Sequence, residues 1–146
     1  MIGAVLVLGI PDRSWAILVA RLVLGLIFGM AGWGKLFRMG PKEHARRYFV
    51  EPFAKSWIPT WLLWTFGVVI PFVEFTAGWL VFAGLFVVPA LLALSLVLVK
   101  VTYGHLLENH LYTFHMHVIP RLALVLFLLV MPRAEDLLSL DHLLGL

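Results

Sequence analysis

The chain has 146 residues, of which 62% are hydrophobic and 13% charged, and its formal net charge is +3. A soluble domain carries about 25% charged residues, so this sequence has too little polar surface to face water on every side and reads as an integral membrane protein. It contains no cysteine, which excludes disulfides, thiolate metal sites, iron–sulfur clusters and thiol redox chemistry, and its modest positive charge speaks for membrane orientation rather than nucleic acid.

The opening segment MIGAVLVLGI is apolar but lacks the basic n-region and small-residue cleavage site of a signal peptide. It is too short to span and is expected at the interface or against the bundle. A first span follows over residues 15–37, with Ser14 as its expected N-cap after the turn signal Pro11-Asp12; at helical rise it covers about 35 Å, enough to cross. Residues 41–57 differ. Ala45, Tyr48, Phe49 and Phe53 recur at helical spacing among Lys42, Arg46, Arg47 and Lys55, and Pro52 interrupts them. This pattern fits a basic amphipathic segment in the membrane surface; a connecting loop with some aromatics fits nearly as well.

The second span covers residues 61–86, with Pro71 a source of a kink because it lacks a backbone donor. A third covers residues 90–111, with Pro89 in its first turn. The fourth, residues 118–131, rises only about 21 Å and is expected to gain a turn from the segment before it. Pro132 ends it, and the leucines at 137, 140 and 144 share one face of a short interfacial helix within residues 133–146. The spans are long and lack period-two alternation, so helices are preferred to a barrel. The expected fold is an all-α membrane protein: one domain over residues 1–146, a four-transmembrane-helix bundle with interfacial amphipathic segments.

Lys35, Arg38, Lys42, Arg46, Arg47 and Lys55 crowd the connection over residues 35–60, and Arg121 joins them after the third span, whereas Arg13 and Arg133 stand at the other ends. The bias of basic residues toward the inner side then puts the 35–60 connection in the cytoplasm and both termini outside. A bacterial cytoplasmic membrane is the expected location.

Arg21, Glu74 and Lys100 are ionisable residues at bilayer depth, where such groups face the bundle interior and mark function by default. A Glu74–Lys100 pair is feasible from their depths, and Arg21 either reaches Glu74 or snorkels outward. The cluster reads first as a structural ion pair that holds the bundle in register, and second as a proton relay or the polar wall of a quinone or lipid pocket. Gly25, Gly29 and Gly32 share one face of the first span and include a G-x-x-x-G pair suited to close helix packing. Ala77 and the Ala83-Gly84 pair offer a seam on the second span, so packing within the bundle is preferred to homodimerisation.

Four histidines, His105, His110, His115 and His117, fall in the stretch GHLLENHLYTFHMH. Their gaps of five, five and two do not suit a helical metal site, and only His110 and His117 would share a face. No H-E-x-x-H occurs. They lie near a membrane boundary, whereas haem ligands would lie inside facing spans, so haem and metal binding rank last. The plainest account has these histidines, with Arg121, touching headgroups or a partner protein; a quinone contact is the second reading.

The ordered motifs resemble the DoxX family of small four-helix membrane proteins. In ARLVLGLIFGMAGWGKLF these are Arg21, Gly25, Gly32 and Lys35, and in VEFTAGWLVFAGL they are Glu74, Gly78 and Gly84. Arg121 opens the fourth span, and SLDHLL at 139–144 resembles the family's C-terminal S-L-D motif. The histidine stretch and the N-terminal segment lie outside the resemblance. Founding members are membrane subunits of a thiosulfate:quinone oxidoreductase, others are linked to redox-stress complexes, and distant relatives serve as assembly factors or cargo helpers; fold is shared more widely than chemistry.

The sequence shows no dinucleotide fingerprint and no nucleophile constellation. The first reading is therefore a non-catalytic accessory or anchor subunit of a larger, quinone-linked oxidoreductase complex, with lipids and other subunits as partners and no nucleic acid. The alternatives are a quinone-binding subunit of a thiosulfate:quinone-type oxidoreductase and a small transporter or assembly factor.

Overall fold

A short antiparallel ladder, β1 (Leu6–Val7) against β2 (Ile10–Pro11), leads directly into the first helix. The computed structural model describes residues 6–7, 9–107, 116 and 118–145, leaving out the side chains of Leu6, Val7, His105 and Leu107. Helix α1 spans Asp12–Trp33 and continues as a π-helical run over Gly34–Met39. Pro11 occupies the N-cap position and Asp12 the first turn. Ser14 is thus inside the helix rather than its cap: it is fully buried, and its hydroxyl donates to the Glu135 carbonyl at 2.6 Å.

Gly40 reverses the chain at φ 88°, a conformation that costs a residue without Cβ little. Helix α2 (Pro41–Ala45) follows and runs on in π-helical form over Arg46–Val50. Ala45 and Phe49, with Phe53 just beyond the helix, are buried while Tyr48 is half exposed, so most of the apolar side of the basic segment is turned onto the bundle. Helix α3 (Thr60–Ala83) passes through Pro71 and stops at Gly84, whose φ of 73° is left-handed. It therefore ends short of Phe86, the end expected from hydropathy. Helix α4 covers Val87–Leu107 and α5 covers Ile119–Val130. A 3₁₀ turn (Arg133–Glu135) and α6 (Leu140–Leu144) complete the described chain.

Among the described residues, Asp12–Met39, Thr60–Ala83 and Val87–Gly104 are long and apolar enough to cross a membrane, while Ile119–Val130 is a shorter apolar helix. The turn that α5 was expected to gain from the histidine stretch lies outside the described residues. Exposed Val88, Leu92, Leu96 and Val99 on α4 suit hydrocarbon. The fold is that of an all-α membrane protein.

The closest helix pair is α1 with α3. A Cβ on Gly25 would stand 2.6 Å from Phe82 Cβ, one on Gly29 would stand 3.2 Å from the Trp79 ring, and one on Gly32 would stand 2.7 Å from Phe75 Cα. Residue numbers rise along α1 as they fall along α3, so the helices run antiparallel. The α3 side of the seam centres on Gly78, packed against Gly29, rather than on the Ala83-Gly84 pair. Gly84 instead forms the helix cap, directly over Arg21.

Candidate functional site

The α1–α3 register fixes where the buried charges can meet. Lys35, in the first turn of the π-helical run, faces Glu74, and its ammonium pairs with the Glu74 carboxylate. Glu74 is 4% exposed. The Lys35 stem leaves its side chain 29% exposed, so the pair sits at the edge of the bundle interior. A buried ion pair is weak evidence of stability, since desolvation offsets most of the attraction; its position beside a cavity matters more.

Pro71 determines the next feature. In a regular helix the carbonyl of Gly67 accepts from the backbone of residue 71, but proline has no N–H. In a water-poor environment such a carbonyl needs another donor. His44 on α2 supplies it: Nδ1 lies 2.8 Å from the Gly67 oxygen. The approach is possible because Gly67 has no side chain; a Cβ there would stand 2.5 Å from Ala45 Cα. A carbonyl only accepts, so Nδ1 carries the proton and Nε2 is left as the ring's acceptor in neutral His44.

Lys35, His44, Glu74, Lys100, Phe49 and Tyr48 line a cavity of about 250 Å³. The Lys100 ammonium lies 3.2 Å from the centre of the Phe49 ring, a cation–π contact. A mostly apolar groove of about 210 Å³ adjoins the cavity, sharing Phe49, Phe53, Lys100 and Gly104 and extending along Trp57, Leu62 and Phe66. Together the two spaces form a polar head and an apolar sleeve.

Burial lowers the His44 pKa below its ordinary 6.5, with Lys35 and Lys100 adding to the effect and the Gly67 carbonyl and Glu74 opposing it. The unfolded chain therefore binds this proton more tightly than the folded one. Stability from His44 is complete above about pH 6.5 and declines as pH falls from there through the depressed folded value. The melting temperature of the wild type should thus fall more steeply than that of His44→Asn between pH 7 and 5, scanned in the same detergent. Parallel slopes would contradict this.

Arg21 is not part of this cluster. It falls opposite Gly84, about 15 Å along the helix from Glu74 at 1.5 Å per residue, and it neither reaches Glu74 nor snorkels outward, being 0% exposed. Its Nε stands 3.2 Å from Asp136 Oδ2, and its Nη2 donates to the Leu138 carbonyl at 2.9 Å. Asp136 is held mainly by charge: Arg21 Nε is its nearest cationic atom among the described residues, and Arg133 lies 4.0 Å away. Burial pushes its carboxyl pKa up, against the pull of Arg21 and Arg133. Nearby, Asp141 accepts from the backbone N–H groups of Phe86 and Val87 at 2.8 and 3.0 Å, capping α4, and Ser139 caps α6 through the His142 N–H. The tail is a polar latch under the α3–α4 turn. Its leucines do not carry the packing, since Leu140 and Leu144 are exposed.

Of the residues singled out by sequence, Glu74 and Lys100 share the cavity and Arg21 belongs to the latch. Arg121 is in the first turn of α5 with its guanidinium carbon 5.7 Å from the Phe28 ring centre. The side chain of His105 and all of His110, His115 and His117 lie outside the described residues. Sequence reasoning did not place Lys35 or His44 in the site. The signal for His44 was available: it stands four residues before Tyr48 and one before Ala45, on the apolar side of its helix. No group of three or more His, Asp or Glu suited to a metal occurs among the described residues.

Antiparallel apolar helices, a tail latched across one end and charges enclosed between helices define an integral membrane protein of the helical-bundle class. The chain belongs to the DoxX family, whose model matches residues 16–115. That match takes in α1 to α4 and stops before α5, Arg121 and the latch. Comparison with curated proteins and with solved structures finds no match.

Proposed function

We propose that this DoxX-family protein is a non-catalytic membrane subunit of a larger, quinone-linked oxidoreductase complex, and that its cavity holds the head group of a quinone. The supporting observation is the amphiphilic cavity itself. Lys35, Glu74, His44 and Lys100 surround its polar end, and an aromatic sleeve leads away from it. Ligand sites of this kind are mostly apolar, with a few convergent polar groups that fix orientation. A quinone accepts hydrogen bonds at its ring oxygens and carries an apolar tail, which matches both halves. Partner subunits supply the electrons, and the 35–60 connection faces the cytoplasm by its basic residues.

The test is isolation from the native membrane in mild detergent, with co-purifying proteins identified by mass spectrometry and quinone extracted from the same sample. Redox subunits in fixed ratio together with bound quinone are expected. Glu74→Gln should keep the partners and lower quinone retention at least about tenfold, roughly 1.4 kcal/mol of binding. A chain that purifies alone and without quinone would refute the reading.

A further inference from the structure

We infer that His44 makes the cavity selective for a head group that presents a hydroxyl to it, so that, on the quinone reading above, the site prefers the reduced quinol to the oxidised quinone. Pro71 frees the Gly67 carbonyl, and that carbonyl fixes the His44 tautomer by taking the Nδ1 proton. His44 lines the cavity, and Nε2 is the acceptor its ring has left to offer there. A quinol hydroxyl can donate to it. A quinone carbonyl cannot, and it would place an acceptor against an acceptor. The lysines do not undo this preference, because a hydroxyl oxygen accepts from an ammonium as a carbonyl does. A site built around a buried polar partner rejects a ligand that leaves that partner unpaired.

The preference should depend on proton uptake by the ring. Protonated His44 would donate from Nε2 and lose its bias against the carbonyl. Lys35, Lys100, Glu74 and Tyr48 also face this space; the two ammonium groups oppose that protonation and Glu74 favours it.

The experiment titrates the purified full-length protein in detergent with a short-tailed benzoquinone and, under argon, with its quinol, by calorimetry at pH 8 and pH 5. At pH 8 the quinol should bind about tenfold tighter, roughly 1.4 kcal/mol, and the ratio should not grow at pH 5. His44→Asn keeps an amide donor for Gly67 but removes the Nε2 acceptor. Its ratio should fall below about twofold at both pH values, which ties the preference to His44. Equal binding of both forms by the wild type, or an undiminished preference in His44→Asn, would overturn the inference while leaving the quinone site standing. Binding of neither form would refute the quinone site and the inference with it.

Discussion

Arg21→Met should cost about 3–5 kcal/mol of stability, the range for removing one partner of a buried pair and leaving the other charge behind. Arg21 is fully enclosed between α1, the end of α3 and the tail. Without it, the remaining ion-pair partner of Asp136 among the described residues is Arg133, at 4.0 Å. The carbonyl of Leu138 also loses its donor. Arg21→Met with Asp136→Leu should recover much of the loss, because a charge pair replaced by apolar volume removes both desolvation costs. Thermal melting in one detergent compares the three proteins, and limited proteolysis reports on the tail, which should be cut faster in the single variant. If Arg21→Met melts with the wild type, the latch does not hold the bundle together.

The latch also shows where sequence reasoning stops. The apolar runs were legible as helices because their lengths and their lack of alternation are local properties. The glycine face of α1 was legible because Gly25, Gly29 and Gly32 recur at helical spacing. The tail was harder. Its leucine period suggested a short interfacial helix, and exposed Leu140 and Leu144 suit that place, but periodicity does not say what ties the tail to the bundle. Where hydrocarbon is the solvent, leucine is at home outside, and the polar groups need partners inside. Asp136, Ser139 and Asp141 accordingly make the contacts. The pairing of Glu74 was not legible for another reason. Depth along separate spans pointed to Lys100 or Arg21, whereas the α1–α3 register selects Lys35. Pro71 was visible as a missing donor, but the donor that replaces it comes from α2, and nothing local to α3 names His44.

Gly78→Ala should destabilise the protein by about 1–3 kcal/mol or more, as overpacking does in a close-packed seam, although the same change in an exposed helix gains up to about 1 kcal/mol. A Cβ on Gly78 would stand 2.8 Å from Gly29 Cα and 2.9 Å from the Phe28 carbonyl carbon. Both neighbours are backbone and cannot rotate aside, so α1 and α3 must separate. Gly34→Ala is the internal control: it lies on the partner helical run that continues α1, has φ −59°, and a Cβ there meets nothing described within 4 Å. It should be neutral or stabilising. The seam also sets the distance between Lys35 and Glu74, which sit on the same two helices. Gly78→Ala should therefore lower quinone retention as well as melting temperature, whereas Gly34→Ala should leave both near the wild type. Equal melting of the two variants would mean that the helices are not held at glycine contact. A Gly78→Ala protein that melts early yet retains quinone normally would mean that the ion pair does not depend on that contact.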